Sequence, residues 1–302
     1  MNNQKVAPCD LSHILMVGNG INTEKRLDWK DLLEKIQKNY KISQNEKANR
    51  KAPLDISKSS LSTLLLYDYI SVDNESSVKK SLKKYCNEEY KADKDYVKQI
   101  WGVYDVVMTT NFDKNLHISK TDLYKNLSLK RKSNLARRVE FQFRKRKKKL
   151  YYIHGYFETK ESINLGLTQY IDSIVSIYSR VKGKYFSDKN KNKAKTPDAW
   201  VDFFFTDNTT IDILGFGFWD SEIDLWWILE QRNKMIKDGN LKNNRIRYFD
   251  FTEKKEINDD RNILLETFNV VVKQQLIKEK KYKEAYQNTL AKLAEEYRSV
   301  LK

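Results

Sequence analysis

The sequence predicts an α/β fold, a parallel sheet with helices on both faces and a smaller helical subdomain. Three observations point there. Short apolar runs rich in β-branched residues alternate with longer segments of helical periodicity. Runs such as "YDVVMTT" at 104–110 are too short for core helices and read as buried strands. Four of these runs end in polar or glycine-rich clusters, and open α/β sheets bind their ligands outside the carboxyl ends of the strands.

In chain order, "LSHILMVG" (11–18) is the first strand, closed by Gly18-Asn19-Gly20. "LDWKDLLEKIQKNY" (27–40) follows, with Leu27, Trp29, Leu32, Leu33 and Ile36 at helical spacing. Residues 41–60 are polar and irregular, and 60–71 and 76–101 read as helices. "YDVVMTT" (104–110) and "KKLYYIHG" (148–155) are strands, 168–186 is a helix, and 187–198 is a polar loop. "TTIDILGFGF" (209–218) is a strand ending in glycines, and 220–239 is a helix stopped by Gly239. "RIRYFDF" (245–251) and "FNVVVK" (268–273) are short strands. In the closing helix, 282–302, Tyr286, Leu290, Leu293 and Tyr297 form one apolar face for the body or for another subunit. The whole reads as one domain, 1–302. Its sheet comes from 11–40, 101–155 and 207–273, with helical insertions at about 41–100 and 156–206.

A chain of 302 residues with 40% hydrophobic content, 3 prolines and 9 glycines reads as globular and helix-rich, able to bury a core without staples. It contains no run of 18 apolar residues, so no membrane span is expected. The first 20 residues lack the long apolar core of a signal peptide. Cys9 and Cys86, the 2 cysteines, make neither a four-thiolate zinc site nor a disulfide framework. The expected compartment is the reducing cytoplasm. A net charge of +16 raises nucleic acid as a partner. Lys, Asn, Ile and Tyr rise together, however, as an AT-rich genome would make them, and a lysine-rich surface is the plainer account. The concentrated exception is 130–149, "KRKSNLARRVEFQFRKRKKK", where Phe141 and Phe143 could stack bases while the cations meet phosphates. A solvated face or a partner surface is the favoured account of that segment.

Each strand-end cluster suits a task. Gly18 and Gly20 let backbone approach a phosphate at a helix N-terminus, or simply make a tight turn. The full GxGxxG is absent, because Thr23 stands where the third glycine would be, so the ordinary dinucleotide-dehydrogenase pattern fails. Asn111, after Thr109-Thr110, offers a donor and an acceptor for ribose hydroxyls or a water. Asp113 can accept from an amide or cap the next helix. His154 ends a strand before Gly155 and is the candidate general base, since imidazole titrates near neutrality. His13 is placed at the start of the first strand and His117 in a helix after the Thr-Thr-Asn cluster. Gly215 and Gly217 repeat the strand–glycine–helix design, and Phe216, Phe218 and Trp219 could pack on a base, while Leu225, Trp226 and Trp227 read as core. No P-loop, GxSxG or HExxH motif is present.

Together "VGNGIN", "TTNFD", "IHG" and "LGFGFWDSEID" make the chain resemble the sirtuin-like domains of bacterial antiphage defence proteins, such as Thoeris effectors and Argonaute-associated sirtuins. The resemblance spans about 11–273 and implies a Rossmann-like sheet binding NAD. It implies that Gly18, Asn19, Gly20 and Ile21 cradle the pyrophosphate, and that Asn111 with Thr110 faces the nicotinamide ribose. Asp113 would bind the carboxamide, and His154 would be the base. Gly215, Gly217 and Asp220 would lie near the adenosine ribose. Sirtuin deacetylases carry a four-cysteine zinc module, which two cysteines cannot build, so deacetylation is not expected. The expected activity is hydrolysis of NAD to nicotinamide and ADP-ribose, without a metal, by a homo-oligomer or with a separate sensor or activator protein. The competing expectation is a noncatalytic NAD-binding or nucleic-acid-binding module.

Overall fold

The computed structural model describes residues 12–22, 76, 78–80, 82, 94–117, 134–156, 159, 162–164, 167–186, 196–253, 259–277 and 281–300. Its centre is a seven-stranded sheet of β1 (Ser12–Val17), β2 (Val106–Thr109), β3 (Arg138–Phe143), β4 (Arg146–Tyr152), β5 (Thr209–Leu214), β6 (Arg245–Thr252) and β7 (Val270–Leu276). The spatial order is β3-β4-β2-β1-β5-β6-β7. Every neighbouring pair is parallel except β3 with β4. The helices are α1 (Lys94–Val103), α2 (Leu167–Tyr185), α3 (Ile223–Lys237), α4 (Asp260–Thr267) and α5 (Tyr282–Val300). The chain steps outward from β1 through β2 to β4, then returns to the other side of β1 with β5. This is the Rossmann-like order, and its reversal falls between β1 and β5.

The central strands β1 and β2 are largely apolar because both faces of the sheet are covered there. Successive side chains alternate between two cores, as the pleat requires. Leu15, Val17, Val107 and Leu214 enter one core, which closes under Trp101 of α1 and Tyr286, Leu290, Leu293 and Tyr297 of α5. The apolar face of the closing helix therefore packs on the body. Ile14, Met16, Ile211, Ile213, Ile246 and Tyr248 enter the other core, under Ile177 and Val181 of α2 and Leu225 of α3. Its floor is a short 3₁₀ helix, Trp200–Phe205, every residue of which is buried.

The sheet differs from the expected one at its β3 edge. The segment 138–149, read above as part of a solvated face or partner surface, forms a hairpin with β3 antiparallel to β4, and its residues 142 and 144–147 are exposed. Val139 and Phe141 turn inward and are buried. The turn has no sequence signature, because Arg144 and Lys145 both adopt positive φ, 48° and 65°, without the Asn-Gly that normally marks such a turn. One of the basic residues is not on the surface at all. Lys148 is 1% exposed, and its ammonium donates to the Tyr104 carbonyl at 2.9 Å and to Asp105 at 2.7 Å. His117 is also corrected. It lies in a turn after Lys114 rather than in a helix, and its ring nitrogen meets Tyr152 Oη at 2.8 Å. The expected helices at 27–40 and 60–71, most of 76–93, the loop at 187–195, and both cysteines lie outside the described residues. Among the described residues no helix is long and apolar enough to cross a membrane.

Candidate functional site

Four strands end level. Tyr152 of β4 pairs with Thr109 of β2, Thr109 with Val17 of β1, and Val17 with Leu214 of β5. The four clusters singled out in the sequence therefore leave the sheet along one edge, on both sides of the β1–β5 reversal.

The glycine turns pack on each other. A Cβ on Gly18 would stand 2.5 Å from the Gly215 carbonyl oxygen, and one on Gly20 would stand 2.7 Å from Gly215 Cα. Gly215 itself has φ +65°. These glycines are thus required by the close approach of two loops. Their N–H groups are engaged there: Gly18 donates to the Leu214 carbonyl at 3.1 Å and Gly20 to the Gly215 carbonyl at 2.8 Å. Asn19, Gly20 and Ile21 form a single 3₁₀ turn. Arg261, in the first turn of α4, donates to the Gly217 carbonyl at 3.1 Å and fixes the far side of the β5 loop.

The Thr-Thr-Asn-Phe-Asp segment is stitched to the β1 loop by amides. Thr110 N–H still bonds the Val17 carbonyl at 3.2 Å. Asn111 takes its N–H to the Thr109 hydroxyl at 3.0 Å and donates Nδ2 to the Gly18 carbonyl at 3.1 Å. Asp113 is buried and accepts from Asn115 N–H at 2.8 Å and Asn22 Nδ2 at 3.0 Å. Burial raises its pKa, and these hydrogen bonds pull against that. No helix follows it in 114–117, so Asp113 closes a local turn and pins the β1 loop rather than capping a helix. Phe216 and Phe218 are buried in the second core, whereas Trp219 is 59% exposed and Asp220 is exposed. Of the three aromatics offered above as a platform for a base, only Trp219 stands clear of the core.

His154 sits two residues past the end of β4 and is 3% exposed. Gly155 must follow it, because φ there is +111° and a Cβ would lie 2.2 Å from the Ser162 carbonyl oxygen. Ser162 Oγ holds the turn, accepting from Tyr156 N–H at 2.8 Å. Across the ends of β2 and β1, about 14 Å of sheet, the β5 loop supplies two carboxylates. His154 Nε2 lies 3.2 Å from Asp224 Oδ2 and 3.5 Å from Glu222 Oε2. Tyr170 of α2 stands against the imidazole, ring centroids 5.2 Å apart. Burial pulls the His154 pKa down, but the Asp224 and Glu222 charges outweigh it and carry it up to about 9. Burial raises Glu222, with Asp224 adding to it and His154 opposing, to about 7.

His154 is thus brought together with two residues that were not picked from the sequence, Glu222 and Asp224. The signal was present in "DSEID", but carboxylates at the start of a helix are usually read as partners of its dipole. Only the fold shows that Asp224, in the first turn of α3 and 0% exposed, turns inward. Such a cluster can orient an imidazole, move a proton, or hold a cation. No protein-family model matches the chain, and no curated protein matches it, which leaves this geometry as the ground for a functional reading.

Proposed function

We propose that the chain hydrolyses NAD, cleaving the nicotinamide–ribose bond to give nicotinamide and ADP-ribose. The observation that carries this reading is a buried imidazole between two carboxylates, at the strand ends flanking the reversal point of a Rossmann-like sheet. Open α/β sheets bind nucleotides at that point. The paired glycine turns of β1 and β5 shape the loops there, and Asn111 leaves its amide oxygen for a ribose hydroxyl or a water.

Nicotinamide departs neutral from a pyridinium, so the site need only hold the ribose, stabilise positive charge at its anomeric carbon and deliver water. The water oxygen bonds that carbon, the C–N bond breaks, and a water proton passes to His154. Asp224 orients the imidazole and stabilises its charged form, as a buried carboxylate does behind a catalytic histidine. Proton transfer of this kind is worth about 10²–10⁴-fold. The resemblance to antiphage sirtuin-like domains supports a role in which NAD depletion halts an infected cell. A homo-oligomer or a separate activator protein would then control it.

The test is nicotinamide release from NAD, followed by chromatography, beside Asn111→Ala and His154→Ala. The expected outcome is release by the parent protein that both substitutions abolish. Release that persists in both would remove the site assignment. Tight NAD binding with no release, with or without cell extract, would favour the noncatalytic module.

A further inference from the structure

We propose that His154, Glu222 and Asp224 form a binding site for a single divalent metal ion of the zinc class, and that its occupation switches the site off. The three side chains are all buried, and one ligand atom from each lies within 4.8 Å of the others. A tetrahedral ion with bonds of 2.0–2.2 Å needs ligand atoms separated by about 3.4 Å. The separations from His154 Nε2, 3.2 Å and 3.5 Å, bracket that edge.

Glu222 supplies the second, independent observation. It is 9% exposed, and its Oε2, aimed at His154, has no hydrogen-bond partner. Burying a carboxylate oxygen without a partner is costly. Elsewhere the fold meets that cost. Asp202, Asp212 and Asp250 each pair with an arginine, and Asp113 accepts from two N–H groups. No lysine or arginine pairs with Glu222 or Asp224 among the described residues. With a neutral imidazole the cluster carries two negative charges, which one divalent ion cancels. One nitrogen and two carboxylate oxygens suit zinc, cobalt or manganese better than a thiolate-seeking ion. Three protein ligands leave a fourth position for water.

The switching follows from imidazole chemistry and rests on the hydrolase reading. A neutral imidazole that gives Nε2 to a metal carries its proton on Nδ1. No lone pair remains to take a proton from water. The metal-free protein is then the active form.

The test uses the purified full chain stripped with EDTA and titrated with Co²⁺. The expected result is one equivalent of Co²⁺ giving the intense visible bands of a tetrahedral site, displaced by Zn²⁺. Glu222→Gln and Asp224→Asn should each weaken binding at least tenfold. Glu222→Gln removes no hydrogen bond made by Oε2, so its melting curve serves as the folding control. Absence of the Co²⁺ spectrum in the parent protein, or unchanged affinity in Glu222→Gln, would overturn the site. In parallel, Zn²⁺ should stop nicotinamide release and EDTA should restore it. Release that continues with the metal bound would overturn the switch. A metal-free protein that binds Co²⁺ but never releases nicotinamide would contradict the hydrolase reading and leave the metal site standing.

Discussion

Two buried clusters of charge lie on this sheet, and they are completed differently. Around Asp212, in mid-strand on β5, both carboxylate oxygens have donors. Arg247 Nε donates at 2.6 Å and Tyr104 Oη at 2.8 Å, and Tyr297 Oη joins them. Arg247 in turn forks onto Glu296 of α5 at 2.7 and 2.8 Å. The cluster joins two strands to α5 and to Tyr104, the residue just after α1. Around His154, at the strand ends, two carboxylates face one imidazole, and Glu222 Oε2 has no donor. On the proposed hydrolase reading, the difference separates charge that holds the fold from charge kept for chemistry. A carboxylate with donors on both oxygens stabilises; on the proposed reading, the bare carboxylate oxygen beside His154 is where a proton, a substrate or a cation is to come.

This contrast can be broken by experiment. The largest effect expected is on turnover: His154→Ala should lower nicotinamide release by about 10²–10⁴-fold and leave a cooperative melt. Next comes stability. Asp212→Ala takes the buried acceptor away from Arg247 Nε and the Tyr104 and Tyr297 hydroxyls and should cost about 3–5 kcal/mol, the usual effect of breaking a buried pair, read as a lower midpoint in urea. If Asp212→Ala melted like the parent, the claim that this cluster holds the fold would fall.

The third effect is on pH. With a His154 pKa of about 9, most of the metal-free protein carries the protonated imidazole at neutrality. A base must be unprotonated, so kcat/KM measured in EDTA should rise about tenfold per pH unit from 7 and level off near 9. A profile falling with pH would make His154 an acid. The smallest effect is the most diagnostic of the gap. Glu222 has its pKa raised to about 7, so its ionisation opposes folding. Its favourable contribution is present below the unfolded value of 4.5 and is lost as pH rises through about 7. Glu222→Gln should therefore match or exceed the parent in melting temperature at pH 8, the opposite sign to Asp212→Ala.

The same contrast explains what could be read from the sequence. The strands of the sheet interior were legible because burial on both faces makes them largely apolar runs, as in "HILMV". The strand-end position of Asn111 and His154 followed from those runs. The β3–β4 hairpin was not legible, since its turn uses Arg144-Lys145 at positive φ and its inward positions alternate with cations. Nor were the partners of His154. Glu222 and Asp224 are 68 and 70 residues away in sequence, and whether an acid at a helix start turns to solvent or inward depends on how the β4 and β5 loops meet. Asp212 and Arg247 were hidden for a related reason. A charged residue inside "TTIDIL" or "RIRYFDF" does not announce the partner across the sheet that makes its burial tolerable.

The most direct test of the central claim is Asp224→Asn, assayed for nicotinamide release and for thermal stability on the same sample. Among the described residues the Asp224 carboxylate hydrogen-bonds only to His154 and to the Leu225 N–H at its own helix start. The account predicts release reduced by at least about 10²-fold with the melting temperature held. Unchanged release, or a loss of activity that merely follows unfolding, would contradict it and return the cluster to the scaffold.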